Sequence, residues 1–161
     1  MSDPSRQPGR PARSDAGPKP DSMLPLWRRI NVAFIRHGQR WQLPTGLLLV
    51  LIGLHRHPET DEPAGIARLH SFPRQTTTFI LDALEKRRLA VRRPHPHDRR
   101  RKQVRLTAKG DALGADILED LHRFEARALS ALRATEIAAA RRFLTRYADA
   151  LDQACPPAPT P

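Results

Sequence analysis

Cysteine, aromatic residues and long apolar runs are scarce in this sequence, and each shortage excludes a class of protein. The single cysteine, Cys155, cannot form an internal disulfide, which favours a reducing compartment. Aromatic residues make up 5% of the chain, which argues against a stacking platform for single-stranded nucleic acid. The longest apolar run, residues 47–54, is far shorter than the roughly 20 residues that cross a bilayer. The N-terminus has no apolar signal segment, so we predict a cytoplasmic protein.

The sequence also lacks the residue patterns of enzymes and of metal or cofactor sites. It shows no nucleophile–base arrangement, no glycine-rich phosphate loop and no paired carboxylates. Two histidine pairs, His55 with His57 and His95 with His97, adjoin prolines and have no cysteines or clustered carboxylates nearby. Ordinary loop histidines are therefore favoured over a metal site. We expect no enzymatic activity, no cofactor and no metal.

Positive charge is abundant and is concentrated in one segment. Residues 86–109 hold eleven Lys or Arg and a single acid, Asp98, a net charge of +10, while the whole chain carries +11. A positive field this local indicates one face that meets a polyanion, most simply nucleic acid. Charge alone leaves two classes open, a sequence-specific DNA-binding regulator and a non-specific architectural protein.

The composition divides the chain into one domain and two tails. Residues 1–22 are rich in Pro, Arg, Ser, Gly and Asp without a hydrophobic period, so we predict a disordered, solvated tail there rather than a DNA-tracking arm. Residues 154–161 form a second, Pro-rich tail. The domain lies between them, over residues 23–153.

Hydrophobic periodicity predicts four helices in the first half of the domain. Residues 24–42 carry one apolar face, and residues 44–55 are apolar nearly all round, as in a helix at the centre of a packed structure. A short helix follows over residues 64–70. The fourth, residues 73–88, starts with a polar turn and then places Phe79, Ile80, Ala83 and Leu84 toward a core.

A hairpin and a long helical region complete the predicted domain. Residues 89–93 and 102–106 are compatible with short strands, joined by an exposed basic turn over residues 94–101. Thr107 suits the N-cap of the next helix. Heptad-like stripes run through residues 111–153 with a break at residues 134–135, which is typical of helix–helix packing within or between chains.

Two segments carry a resemblance to a known family. The first, PRQTTTFILDALEKRRL over residues 73–89, resembles a recognition helix that ends in Leu-Glu-x-x-Gly-Leu. The second, DRRRKQVRLTAKG over residues 98–110, resembles the wing signature Asp-x-Arg followed by Val-x-Leu-Thr-x-x-Gly. Both are similar to MarR-type regulators. The resemblance implies a mainly α (α+β) fold, a winged helix-turn-helix with a small β-hairpin wing and flanking dimerisation helices.

The sequence departs from the family pattern at three places. Arg88 stands where the family has Gly, so either Arg88 adopts the left-handed conformation or the helix ends differently. His70 and Ser71 replace a Leu-Gly pair, and Thr77 occupies an aliphatic position. These departures leave the polar helix start and the wing unchanged.

The resemblance also implies an assembly and a mode of action. A homodimer would form through residues 24–42 and 111–153, with residues 43–110 as the DNA-binding lobe. Two recognition helices would then meet successive major grooves of a pseudo-palindromic operator, in half-sites about 10 bp apart. We expect a repressor whose operator binding is modulated by a small aromatic or anionic effector.

Candidate DNA contacts lie on the helix start and on the hairpin. On the helix, Arg and Gln suit guanine and adenine edges and Thr suits either, but the sequence does not separate base contacts from phosphate contacts. On the hairpin, basic side chains suit the minor groove or phosphates, and Asp98 is expected to orient a wing arginine, best Arg100 by the resemblance. Arg92 and Arg93 are equally compatible with plain strand-surface charges. The predicted contacts are Arg74, Gln75, Thr76, Thr78, Arg92, Arg93, Asp98, Arg99, Arg100 and Arg101.

Four residues of the first predicted helix are candidates for an effector site. The family places effectors in a cleft between the dimer helices and the DNA-binding lobe, which Trp27, His37, Arg40 and Trp41 would line. The alternative is packing in a dimer interface. We favour it over the effector site, because aromatic residues commonly anchor interfaces.

Overall fold

The computed structural model describes residues 22–95 and 98–155, which form six helices and one antiparallel hairpin. None of the helices in these residues is long and apolar enough to span a membrane. In chain order the elements are α1 (Leu24–Gly38), a 3₁₀ turn (Gln39–Trp41), α2 (Thr45–Arg56), α3 (Pro63–His70), α4 (Arg74–Lys86), β1 (Ala90–His95), β2 (Asp98–Leu106), α5 (Ala108–Leu129) and α6 (Ala134–Ala154). This order confirms the predicted winged helix-turn-helix, with α3 and α4 as the helix pair and β1–β2 as the wing.

Helix α2 lies at the centre of the core, as its nearly continuous apolar sequence predicts. Val50 and Leu51 are completely buried. They pack within a single cluster to which α3, α4, the hairpin and α5 also contribute, through Ile66, Leu81, Leu84, Leu89, Val104 and Ile117. This cluster packs the buried face of α4 and the base of the hairpin against the same helix, α2.

Two prolines each lie one residue before a helix, instead of in its first turn. Pro44 and Pro73 were expected in first helical turns, but both are N-caps with extended backbone, at ψ 138° and 147°. Their carbonyl groups accept the first helical hydrogen bonds, from Leu48 N at 3.1 Å and from Thr77 N at 3.0 Å. A proline has no N–H to leave unsatisfied at this position.

Arg88 stands where the family has glycine, and it adopts the left-handed conformation itself, with φ at 57°. Arg88 N–H donates to the carbonyl of Glu85 at 2.8 Å, and Leu89 N–H donates to that of Leu84 at 2.9 Å. This is the Schellman pattern, and the apolar contact that accompanies it joins the buried Leu84 and Leu89. The chain therefore turns from α4 into β1 as the family pattern requires, without the glycine.

Ser71 ends α3 in the same left-handed conformation, and the residue before it fills a tight space. His70 stacks on Phe72 with ring centroids 5.6 Å apart. A Cβ at Gly53 of α2 would lie 2.4 Å from His70 Nε2, so the His70 ring occupies the space that a side chain at this position would need. That nitrogen is buried without a hydrogen-bond partner among the described residues. Burial, with a smaller contribution from His57, lowers the pKa of His70 below 6.5.

Thr107 joins the end of α4 to the start of α5, which confirms it as an N-cap. Its hydroxyl accepts from Gly110 N–H at 3.0 Å and donates to the carbonyl of Arg88 at 2.8 Å. A Cβ at Gly110 would lie 1.9 Å from the Leu89 carbonyl oxygen. The Thr-x-x-Gly spacing thus closes the hairpin against the helix that follows it.

The long C-terminal region is two helices, as the break in its stripe indicates, but the boundaries differ from the prediction. Helix α5 begins at Ala108 rather than residue 111, and the break lies at residues 130–133, so the predicted break at 134–135 falls in the first turn of α6. No residue of α6 is buried in the single chain. Phe143, Leu144 and Leu151 of its apolar stripe are about half exposed in the single chain.

Candidate nucleic-acid interface

The first half of α4 presents polar side chains on one face while its other face enters the core. Thr77, Ile80, Leu81 and Leu84 are buried. Residues 74–76 and 78 are exposed. The structure therefore brings Arg74, Gln75, Thr76 and Thr78 together on one accessible surface, in the arrangement that suits a helix docked into a major groove.

The threonines of this turn are held by the helix itself. Thr77 Oγ1 donates to the Pro73 carbonyl at 3.2 Å, which satisfies its hydroxyl where the family has an aliphatic residue. Thr78 Oγ1 donates to the Arg74 carbonyl at 3.0 Å. Burial of the Thr77 hydroxyl therefore leaves no hydrogen bond unsatisfied. This position, which is aliphatic in the family, remains part of the core.

The prediction that Phe79 belongs to the core of α4 is wrong. The sequence pairs it with Ile80 as an inward-facing residue, yet Phe79 is 72% exposed and Ile80 is 5% exposed. Thr77 takes the inward position one turn earlier, so the buried stripe is rotated away from Phe79. The aromatic ring lies on the outer face of α4, among the polar candidates.

The hairpin is longer than predicted, because the strands continue into the expected turn. The register pairs Ala90 with Leu106, Pro94 with Lys102 and His95 with Asp98, with an irregularity between Pro94 and His95. Arg93 and Lys102 are exposed. Residues 96 and 97, and with them the His97 of the second histidine pair, lie outside the described residues. The backbone of residues 98–101 belongs to β2, while the side chains of Asp98, Arg99, Arg100 and Arg101 lie outside the described part of the chain.

The side chain of Arg92 packs against α4 and forms hydrogen bonds with it. Its guanidinium Nη1 donates to Glu85 Oε2 at 2.8 Å and also to Asp82, and its Nη2 donates to the Thr78 carbonyl at 3.3 Å. Its backbone N–H donates to Glu85 Oε1 at 2.8 Å. Of the two readings of Arg92, these contacts favour a strand-surface charge that braces the hairpin against α4.

A second ion pair fixes the other edge of the hairpin. Arg105 Nη2 lies 2.8 Å from Asp61 Oδ2, and Val104 N–H donates to the Asp61 carbonyl at 2.7 Å. Asp61 belongs to the linker between α2 and α3 and is buried. The hairpin is therefore tied to α4 through Arg92 and to the linker before α3 through Arg105.

Comparison with known proteins finds a family whose sequence pattern matches the segment that carries this arrangement. The profile of the MarR family matches residues 43–101, the span from the start of α2 into the hairpin. Over these residues the chain has the sequence pattern of the MarR family. Its members are winged-helix transcription regulators and not enzymes, so the prediction that this protein is not an enzyme is confirmed.

Solved structures share the fold over most of the chain. Transcriptional regulator PA3341 is 26% identical, with a TM-score of 0.71 over 82% of this chain and 99% of that one. YusO from Bacillus subtilis is 25% identical, with a TM-score of 0.62 over 80% and 90%. MepR of Staphylococcus aureus, in its complex with DNA, is 21% identical, with a TM-score of 0.70 over 81% and 98%. The last likeness, at this identity, shows the fold alone.

The candidate effector residues divide into two places. His37, Arg40 and Trp41 converge on Asp120 of α5, a buried residue that the sequence analysis missed. The Asp120 carboxylate lies 2.9 Å from His37 Nε2 and 2.8 Å from Arg40 Nη1, and it accepts from Trp41 Nε1 at 3.1 Å. Trp27 lies apart from this cluster, 55% exposed, on the apolar face of α1.

The Asp120 cluster is an ionic contact between the end of α1 and the middle of α5. Burial tends to raise the pKa of Asp120, but the hydrogen bonds from Trp41, Arg40 and His37, together with the charge of Arg40, hold the pKa below its ordinary value of 3.8. His37 also stacks on Phe124, with ring centroids 4.1 Å apart. A His37 Nε2 that donates to Asp120 cannot also accept from Arg40, so Arg40 is held by the carboxylate.

An apolar cleft of about 310 Å³ lies beside this cluster, between α1, α2 and α5. Its lining includes Phe34, Ile35, Leu48, Ile52 and Leu121, and the polar Asn31 and Gln39. None of the four candidate effector residues lines it. The cleft adjoins the predicted dimerisation helices and the predicted DNA-binding lobe, where the resemblance implies an effector.

The first histidine pair, His55 and His57, has local partners. His55 Nδ1 lies 2.8 Å from Asp111 Oδ1, and His57 Nδ1 lies 3.2 Å from Glu59 Oε1. Within the described residues, no group of three or more potential ligands is arranged to hold a metal ion.

Proposed function

We propose that this protein is a homodimeric repressor of the MarR type that binds a pseudo-palindromic DNA operator. One observation carries the proposal: α4 exposes Arg74, Gln75, Thr76 and Thr78 on a face whose reverse side is locked into the core. A basic hairpin is braced directly against that helix through Arg92. This combination suits a helix that reads base edges while a wing holds the neighbouring backbone. A regulator that binds an operator must be in the same compartment as the chromosome, so we also propose that this protein is cytoplasmic.

The uncovered apolar surface supports the homodimer. Leu24, Trp27 and Ile30 of α1 and Leu144 and Leu151 of α6 are each between 45% and 69% exposed. Together they line an open apolar groove of about 450 Å³. A second copy packed on these helices would remove this area from water and place two α4 helices on one side of the assembly.

The apolar cleft beside Asp120 supports regulation by a small molecule. It lies between the helices proposed to form the dimer and α2, which supports the DNA-binding lobe. A ligand that fits one spacing of the two lobes better than the other would shift the population of dimers able to match successive grooves. An apolar lining with Asn31 and Gln39 at its edge suits an aromatic compound that carries a polar group.

The proposal is tested by selection of binding sites from random duplex DNA with the full-length protein. We expect a two-fold symmetric sequence with half-sites about one helical turn apart, bound at least ~10³ times more tightly than random duplex. Sedimentation should show a dimer at micromolar concentration. Equal affinity for random and selected duplex would favour the non-specific architectural protein, and a stable monomer would contradict the half-site arrangement.

A further inference from the structure

We propose that Phe79 reads the 5-methyl group of a thymine in each operator half-site. The inference rests on the proposed DNA-binding function and assigns a sequence-reading role to an apolar residue of α4. Phe79 is 72% exposed, the most exposed large apolar side chain in the described residues. An exposed aromatic ring among polar and basic side chains is suited to an apolar group on a negatively charged partner.

The position of Phe79 on α4 directs it to the same surface as the predicted base contacts. Gln75 lies four residues before it and Lys86 seven residues after it, so the three share one face of the helix. That face is opposite the buried stripe of Thr77, Ile80, Leu81 and Leu84. A helix that enters a major groove with Gln75 foremost therefore carries Phe79 into the groove one turn further along.

The charge around Phe79 selects DNA over another protein. Arg74 and Lys86 flank it on α4, and the basic hairpin lies alongside. Asp82 and Glu85, the acids beside this face, share the positive charge of Arg92, which offsets one of their two negative charges. A second copy of the chain would bring the same positive surface and would be repelled. A duplex brings negative charge together with an apolar group.

Thymine supplies that apolar group. In the major groove every base edge presents hydrogen-bond donors or acceptors, and thymine adds a C5-methyl group that apolar side chains contact. An exposed phenylalanine has no hydrogen bond to offer the other bases. The residue therefore discriminates in favour of a thymine at the base pair it reaches, next to the pair read by Gln75.

The test removes the methyl group alone. In the operator selected by the full-length protein, each thymine of a half-site is replaced singly by deoxyuridine, and thymines outside the half-sites serve as the DNA control. We expect one position at which wild-type affinity falls about fourfold per half-site, and roughly fifteenfold when both half-sites are changed, from the loss of one buried methyl group each. Phe79→Ala should bind the thymine and deoxyuridine operators equally, and Phe79→Leu should retain part of the difference.

Three outcomes would overturn the inference. The first is a selected half-site without thymine, or with no position sensitive to deoxyuridine. The second is a Phe79→Ala protein with the same deoxyuridine penalty as wild type, which would assign the methyl contact to another residue. The third is a change in sedimentation of Phe79→Ala without DNA, which would make Phe79 a contact between protein chains. Failure to select any preferred sequence would overturn the proposed function as well, so the two failures are distinguishable.

Discussion

Arg92 of the hairpin and Glu85 of α4 are joined twice, from the Arg92 backbone N–H to Glu85 Oε1 and from its guanidinium to Glu85 Oε2, both at 2.8 Å. The contact fixes the angle between the helix and the wing. Arg92→Gln removes the guanidinium and its contacts with Glu85 and Asp82, but keeps the backbone hydrogen bond. It should lower the free energy of unfolding by about 1 kcal/mol, since the ion pair is only partly buried. Urea denaturation measures this.

The neighbouring arginine offers a matched control for that prediction. Arg93→Gln removes an exposed charge from the same strand, so stability should stay within about 0.5 kcal/mol of wild type. If Arg93 contacts a phosphate, the slope of log affinity against log salt should fall by about 1 for Arg93→Gln and stay unchanged for Arg92→Gln. The reverse pattern would make Arg92 the phosphate contact.

Arg88→Gly should stabilise the protein. The left-handed conformation costs a residue with a side chain about 1–2 kcal/mol, while the greater freedom of glycine in the unfolded chain offsets about 0.4–1 kcal/mol of the gain. The expected net gain is roughly 0.5–1 kcal/mol in urea denaturation. Arg87→Gly, one residue earlier at φ −85°, gains nothing from glycine and should destabilise. Equal effects of the two substitutions would show that the left-handed turn carries no strain.

The helices and the wing could be predicted from the sequence because their signals are local. Period, proline positions and the Thr-x-x-Gly spacing all act within a few residues, and Thr107 caps α5 as expected. Phe79 was assigned to the core because the pattern places it beside Ile80, and only the packing of Thr77 shows which residue turns inward. The hairpin was drawn too short because prolines in its sequence resemble a turn, whereas the strands pair as far as His95 and Asp98.

Asp120 shows what the sequence could not provide. It lies among other charged residues on a helix with a regular apolar stripe, and nothing local distinguishes it from exposed Asp116 one turn earlier. Its partners His37, Arg40 and Trp41 lie 79 to 83 residues away in the chain. A buried carboxylate assembled from distant elements becomes visible only in the folded structure.

Asp120→Ala should destabilise the protein by about 2 kcal/mol at neutral pH, because Trp41 and Arg40 lose a buried acceptor. Since the folded-state pKa of Asp120 lies below its ordinary value of 3.8, the stability it contributes is complete above about pH 4 and is lost as the pH falls through the folded pKa. The difference between wild type and Asp120→Ala should therefore shrink in acid. The control is Asp116→Ala, which is exposed and should match wild type throughout. A difference that persists unchanged at low pH would exclude the charged form of Asp120 as its source.

Gln75→Ala should change which sequence the protein prefers more than how tightly it binds DNA in general. Gln75 is exposed on the outer face of α4, where a glutamine can form paired hydrogen bonds with adenine. Its loss should cost about 1–3 kcal/mol at one base pair of each half-site and leave the salt slope unchanged, as measured by titration of single-base operator variants. Arg100→Ala in the wing is the contrasting variant. It should weaken binding strongly without unfolding the protein. A uniform loss of affinity across all operator variants of Gln75→Ala would assign Gln75 to the phosphates.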